Sequence, residues 1–235
     1  MNEIRALRLD RPLPPDRFVR LLDSIGPEQR ERIGRFHCRE DALRCLCGDL
    51  LVRSVLMRKT GVQNRDLILS RDARGKPFCL VPGSGHFNLS HSGQWIIAAF
   101  DDSPVGVDIE LIKPLAPGVV ELALSPKEIK TMHALPETER LSYFTDVWTL
   151  KESWLKASGL GLIDHLSDYS VTAGTFPFAF QISNGKLQDD AFLWSLSGLD
   201  SDYRAAVCFS RDTVPSPVIF DSLEELAGFF SPDRT

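Results

Sequence analysis

The sequence predicts an α+β fold made of a pseudo-twofold pair of similar α+β subdomains, and three observations carry that prediction. The segments Phe87-Asn-Leu-Ser-His-Ser-Gly-Gln-Trp-Ile-Ile-Ala-Ala-Phe100 and Phe192 to Phe209 share a pattern of strand, polar turn and strand, with Arg-Ala-Ala-Val-Cys-Phe209 placed like Trp-Ile-Ile-Ala-Ala-Phe100. Each half also carries a long helical pattern. One runs from about Arg39 to Lys59 and stops at Gly61, the other from Pro136 or Thr138 to Ser158 and stops at Gly159. The polar connection Asp101 to Val105 forms a seam between the halves. The expected subdomains are residues 1–103, which are basic, and 104–235, with a ligand bound at the interface.

In chain order, Ile4 to Leu9 reads as a short strand ended by Pro12, Pro14 and Pro15. Pro27 is suited to a first helical turn, and the segment from Glu28 to Phe36 that follows is strongly basic. The next helix places Leu43, Leu46, Cys47, Leu50 and Leu51 on one face and Arg44 near its start, where free N–H groups favour anions. Arg74-Gly75-Lys76-Pro77 is a turn signal with two cations. Ser90-His91-Ser92-Gly93 reads as a polar turn, suited to hydrogen bonding a phosphate or to an exposed hairpin tip.

Gly106-Val-Asp-Ile-Glu110 alternates so that Asp108 and Glu110 share one face of a strand while Val107 and Ile109 bury on the other. Two carboxylates in one space repel unless a proton, a cation or a hard metal ion intervenes, and magnesium accepts one or two carboxylates with phosphate oxygens and water. A half-exposed strand with a polar face gives the same alternation. Ser125-Pro126-Lys127-Glu128 is a capping box. In the long helix beyond it Val147, Leu150, Trp154 and Ala157 form the buried stripe, while Trp148, Glu152 and Lys156 follow at four-residue intervals on the adjoining face. Lys151 falls beside the apolar stripe, where an unpaired ammonium is costly.

Composition bounds the function. The chain is 43% hydrophobic and 25% charged with a net charge of -5, which argues against a general nucleic-acid binder. The charge is uneven: residues 1–65 hold 14 Lys and Arg against 9 Asp and Glu, a surplus of +5, and residues 66–235 hold 13 against 23, or -10. Anion binding at one end and metal at the other is one reading of that asymmetry, and helices with solvated charged faces are the other. The five cysteines show no C-x-x-C spacing and read as small buried thiols. The opening Met-Asn-Glu-Ile-Arg carries charge where a secretory signal needs an apolar core, and no segment approaches about eighteen consecutive apolar residues, so a cytoplasmic protein without membrane association is expected.

Together, Phe87-Asn-Leu-Ser-His-Ser92, Gly106-Val-Asp-Ile-Glu110 and Trp148-Thr-Leu-Lys-Glu-Ser-Trp-Leu-Lys156 resemble the signature of the 4'-phosphopantetheinyl transferases of the surfactin-synthetase-activating, Sfp-like type. The likeness extends to Arg39-Glu-Asp-Ala42, Gly48 to Ser54, Gly75-Lys76-Pro77 and Tyr203 to Cys208. It implies a commonly monomeric pseudo-twofold enzyme that passes the phosphopantetheine arm of coenzyme A to a serine of an apo acyl or peptidyl carrier protein and releases 3',5'-ADP. The acceptor would serve fatty acid, polyketide or nonribosomal peptide synthesis. By the same resemblance Asp108, Glu110 and Glu152 are the magnesium group, and Glu152 takes the serine proton. Lys156 and Lys151 neutralise diphosphate oxygens, Ser90 and His91 contact phosphate, and Arg32, Arg44, Gly75, Lys76 and Pro77 lie near the nucleotide. His91 is also counted with the catalytic group. Gln29 departs from the usual lysine, which puts a 3'-phosphate contact in question, and Ser153 replaces a common alanine. Two other functions use the same residues: a magnesium-dependent hydrolase of coenzyme A or another nucleotide diphosphate, and a noncatalytic coenzyme A sensor.

Overall fold

The computed structural model of the chain describes residues 2–159, 161, 166–173, 179–183, 191–211 and 214–230. Strand β1 (Glu3–Arg8) leads to helices α1 (Pro15–Leu22), α2 (Pro27–Gly34) and α3 (Arg39–Thr60), then to the short strands β2 (Leu69–Arg71) and β3 (Pro77–Cys79). Strands β4 (His86–Ser92), β5 (Trp95–Asp101) and β6 (Val105–Leu111) follow, then helices α4 (Val119–Ala123), α5 (Pro126–Ala134) and α6 (Glu137–Ser158). The chain closes with β7 (Ser170–Ala173), β8 (Ala179–Ser183), β9 (Phe192–Ser195), β10 (Tyr203–Phe209), β11 (Val218–Asp221) and α7 (Leu223–Phe229).

Among the described residues the strands form a sheet of order β11-β1-β5-β4, a sheet of order β6-β10-β9-β8-β7 and the hairpin β2-β3. The fold is α+β, and its topology repeats. In the first sheet β5 lies antiparallel between β1 and β4, and in the second β10 lies antiparallel between β6 and β9. A 22-residue helix covers each, α3 on the first sheet and α6 on the second, and each helix ends at a left-handed glycine, Gly61 or Gly159.

Alternation along the strands builds the layers. Ile4, Ala6, Ile97 and Ala99 face Val107, Ile109, Ala205 and Val207 across the space between the sheets, while Leu7, Ile96, Ala98 and Phe100 turn the other way onto Leu46, Leu50 and other α3 residues. Every residue of β5 is consequently buried, although the sheet is mixed and mainly antiparallel. Polar residues occur on β6 only on the α6 side, at Asp108 and Glu110. α3 has no polar face in its middle: Asp49, Arg53 and Ser54 are buried with their apolar neighbours, because α1, α2 and α7 pack around it.

Three features differ from the sequence expectation. Pro15 begins α1 instead of ending the preceding segment, since proline at the first helical position loses no hydrogen bond. The Ser90 to Ser92 segment belongs to strand β4, with Ser92 opposite Trp95, so the turn is only Gly93 and Gln94. The end of the chain, placed by sequence with residues 104–235, returns to the first sheet: β11 runs parallel to β1, and Leu223, Leu226 and Ala227 of α7 join the core under α3.

Gly106 sets the distance between α6 and β6. A β-carbon there would collide with the backbone of Ser153 and Ala157. Forced separation of this kind costs about 1–3 kcal/mol or more. Gly106→Ala should therefore lower the melting temperature by at least about 3 °C, taking 2–4 °C per kcal/mol for a chain of this size, as read by circular dichroism. A melting temperature matching the native protein would mean that α6 retreats without cost and that the close approach constrains nothing.

Candidate functional site

The site is built where β4, β6 and α6 meet. Asp108 is 2% exposed. Its Oδ1 accepts a hydrogen bond from Ser90 Oγ at 2.7 Å and from Lys156 Nζ at 2.5 Å, and Lys156 also donates to Ser90 Oγ at 3.0 Å. Its Oδ2 is buried and has no hydrogen-bond partner among the described residues. Two residues along, Glu110 accepts from Ser92 Oγ at 2.8 Å, and Ser92 Oγ in turn accepts from the Leu111 N–H at 3.1 Å. Ser90 and Ser92 thus repeat the period of Asp108 and Glu110, one hydroxyl for each carboxylate, with Asn88 Oδ1 continuing the row to the Val107 N–H at 2.9 Å.

Glu152 completes the cluster from α6. Burial, and after it the charge of Asp108, push the carboxyl pKa of Glu152 above the ordinary range, and the same two causes raise that of Glu110. Three carboxylates against the ammonium groups of Lys156 and, near Glu110, Lys113 leave an excess of negative charge in a partly buried space. Among the described residues no three His, Cys, Asp or Glu side chains stand close enough to enclose a metal ion. The donor set nevertheless suits magnesium, which takes one or two carboxylates and completes its shell with phosphate oxygens and water. The unpartnered Asp108 Oδ2 and the mutual repulsion are what a divalent cation would relieve.

A cleft of ≈ 860 Å³ runs from this cluster across the molecule, lined by Ser90, His91, Asp108, Glu110, Trp148, Glu152 and Lys156 and, beyond them, by Phe87, Leu89, Gln29, Arg32, Arg53, Arg65 and Arg71. A second hollow of ≈ 360 Å³ shares Glu152 and Lys156 and is bounded by the Gly75-Lys76-Pro77 turn, Arg74 and Asn88. The Lys76 ammonium donates to the Lys156 carbonyl, and burial lowers its pKa. His91 is held below the ordinary imidazole range by its surroundings and then by the charge of Arg44. The cleft therefore has carboxylates at one part and guanidinium groups at another.

Most of the residues singled out by sequence meet here: Asp108, Glu110, Glu152, Lys156, Ser90, His91, Arg32, Gly75, Lys76 and Pro77 all line one hollow or the other. Two do not. Lys151 is fully buried away from both hollows, where its ammonium donates to Glu128 Oε2 at 2.7 Å and to the Ala123 carbonyl at 2.8 Å. It is a structural cation, because the Glu128 carboxylate also takes the Ser125 N–H in the capping box and the Val171 N–H, and so ties α5, α6 and β7 together. Arg44 stands beside His91 outside the lining, with its guanidinium on Gly93 O at 2.9 Å and Asp41 at 2.5 Å. Those contacts make Arg44 a support of the β4–β5 turn. Asn88, Arg53 and Arg71 were not singled out, and Ser92 only as part of a polar turn. Ser92 and Asn88 were within reach of sequence reasoning as the same-face neighbours of Ser90 once β4 is read as a strand.

Comparison with known proteins identifies the family to which the chain belongs. Residues 11–102 match the family model described as 4'-phosphopantetheinyl transferase, N-terminal, and residues 104–208 match that of the 4'-phosphopantetheinyl transferase superfamily. The chain is 35% identical to 4'-phosphopantetheinyl transferase Sfp of Bacillus subtilis (strain 168) over 227 residues, covering 95% of this chain and 99% of the relative. It is 30% identical over 162 residues to the 4'-phosphopantetheinyl transferase gsp of Aneurinibacillus migulanus, covering 69% of this chain and 68% of that one. It is also 34% identical over 155 residues to the human L-aminoadipate-semialdehyde dehydrogenase-phosphopantetheinyl transferase, covering 59% and 50%.

The placement of Lys151 has a measurable consequence. Lys151→Met keeps the length of the side chain but leaves Glu128 buried without its cation, and breaking a buried pair in this way costs about 3–5 kcal/mol. Urea denaturation should show a loss of that size, and adding Glu128→Gln should recover part of it. A loss below about 1 kcal/mol, within the range of an exposed ion pair, would overturn the structural assignment.

Proposed function

The chain belongs to the 4'-phosphopantetheinyl transferase superfamily and is an enzyme of that type, and we propose that the β4, β6 and α6 cluster is its catalytic site. It transfers the 4'-phosphopantetheine group of coenzyme A to a serine of a carrier protein. What carries the site assignment is that Asp108, Glu110, Glu152 and Lys156 line the same cleft as the arginines, so that one elongated anionic substrate spans both. Residues 1–103, joined by β11 and α7, and the residues from 104 to the end of β10 act as two halves with the site between them. The matched spans, which meet between residues 102 and 104, and the repeated strand order support that division.

The reacting carrier serine attacks the phosphorus that bears the pantetheine arm. A new bond forms from the serine oxygen to that phosphorus, the bond from phosphorus to the bridging diphosphate oxygen breaks, and 3',5'-ADP leaves with the electron pair. Glu152, whose carboxylate makes no hydrogen bond among the described residues, accepts the serine proton. Lys156 offers positive charge to the leaving oxygen. Ser90 and Lys156 hold Asp108 in place, and Ser92 does the same for Glu110. Magnesium, held by Asp108, Glu110 and Glu152, would neutralise diphosphate charge when bound. The protein acts as a monomer in the cytoplasm on an apo acyl or peptidyl carrier protein or domain. Among the described residues no helix is long and apolar enough to cross a membrane.

Supplying coenzyme A with and without an apo carrier protein tests the reading against hydrolysis and simple sensing. Mass spectrometry should show one phosphopantetheine added to the carrier and no cleavage of coenzyme A without it. Release of pantetheine phosphate in the absence of carrier would favour the hydrolase. Glu152→Gln should slow transfer about a hundredfold or more. Asp108→Asn should abolish it at limiting magnesium with the circular dichroism unchanged, and full activity of either variant would return the cluster to a structural role.

A further inference from the structure

Four arginines line the large cleft, and they are not equivalent. Arg53 is committed to Asp49 at 2.6 Å and to the Asn64 and Leu67 oxygens, and Arg65 lies 3.8 Å from Asp66. Arg32 and Arg71 are exposed, and among the described residues neither forms an ion pair with a carboxylate. The Arg71 guanidinium makes one hydrogen bond, from Nη1 to the Gly75 carbonyl at 2.6 Å, which leaves its other donors free among the described residues. Burial and then the charge of Arg32 lower its pKa, against smaller opposing contributions from Cys45, Asp49 and Glu28. The two cations thus act on each other from different walls, Arg32 on α2 and Arg71 at the end of β2. Gln29, one helical turn before Arg32, lines the same cleft but is neutral, and its amide donates to Cys45 Sγ at 3.6 Å.

Two opposed guanidinium groups with spare donors suit a phosphate monoester, whose dianion presents three oxygens to bidentate partners. Coenzyme A carries one monoester phosphate besides its diphosphate, and the diphosphate belongs with Lys156 and the carboxylates. We propose that Arg71 is a binding residue for that 3'-phosphate, acting opposite Arg32 and supplying the second cation that position 29 lacks. This rests on the reading that coenzyme A occupies the cleft. It makes Arg71 a determinant of discrimination between coenzyme A and dephospho-coenzyme A.

The test uses the full chain. Arg71→Gln removes the charge and keeps a donor for the Gly75 carbonyl, so the turn is preserved. Calorimetric titration should show 3',5'-ADP binding weakened about tenfold or more, and 5'-AMP, which differs only in lacking the 3'-phosphate, changed by less than about twofold. In kinetics the KM for coenzyme A should rise while kcat and the KM for carrier stay within about twofold of the native values. Adding Gln29→Lys to Arg71→Gln should restore most of the lost affinity for 3',5'-ADP, a rescue that a role confined to supporting the turn does not produce. Equal weakening of both nucleotides, or unchanged 3',5'-ADP affinity, overturns the role of Arg71 and leaves the catalytic reading standing. If the native protein binds neither nucleotide, the cleft itself is misassigned, and the proposal falls with it.

Discussion

A carboxylate with almost no access to water is tolerated only when its charge is met, and Asp108 is the group on which the arrangement of this protein turns. Its partners come from different elements: Ser90 from β4 in the first sheet and Lys156 from α6 on the second. Bringing the ammonium of a helix onto a carboxylate of the strand beneath it requires that helix and strand approach closely, and Gly106 supplies the room. The apolar contact between the two sheets then fixes β4 against β6, so that the serine row and the carboxylate row stay in register. Packing thus determines electrostatics here. Packing has used one oxygen of Asp108, and the other is left without a hydrogen-bond partner among the described residues.

The duplicated architecture explains why the chemistry is divided. Each half pairs a long helix with a sheet, and each turns its strands' other face toward its twin, so neither half alone exposes a finished pocket. The first half contributes hydroxyls from β4 and cations from α2 and the β2–β3 hairpin. The second contributes the carboxylates and Lys156. Return of β11 and α7 to the first sheet makes the chain cross the seam a second time, which resists separation of the halves by something more than side-chain contact.

Much of this was legible before the structure, and the exceptions have physical causes. The face of α6 could be read because a helix places residues at four-residue intervals above one another, and the limits of α3 and α6 because a glycine can take the left-handed conformation that ends each. The carboxylate pair followed from the period of a strand. Ser90 and His91 were misplaced in a turn because serine and glycine favour turns locally, while pairing with β5 decides the matter nonlocally. Lys151 was recognised as costly to bury, yet its partner Glu128 was visible only as a capping residue; that one carboxylate serves both the cap and the ammonium depends on the packing of α5 against α6. Arg71 gave no signal at all, because a lone arginine in a three-residue strand acquires meaning only from what faces it across a cleft.

The uneven charge of the sequence finds a different explanation in the cleft than a count suggests. Most basic residues of the first quarter are ion-paired, locally as Arg20 is with Asp16, Arg35 with Glu31 and Arg44 with Asp41, or across the fold as Arg8 is with Asp200 and Lys59 with Asp102, so the surplus is not a uniform positive face. What remains is local: guanidinium groups in one part of the cleft and excess carboxylate in another. Such a field orients a long anionic substrate. A bare diphosphate is repelled by the three carboxylates unless a divalent cation accompanies it, whereas the opposite part of the cleft attracts phosphate without help. On the proposed reading, an anion anchors at the arginines independently of metal, and its diphosphate needs a divalent cation to settle beside the three carboxylates.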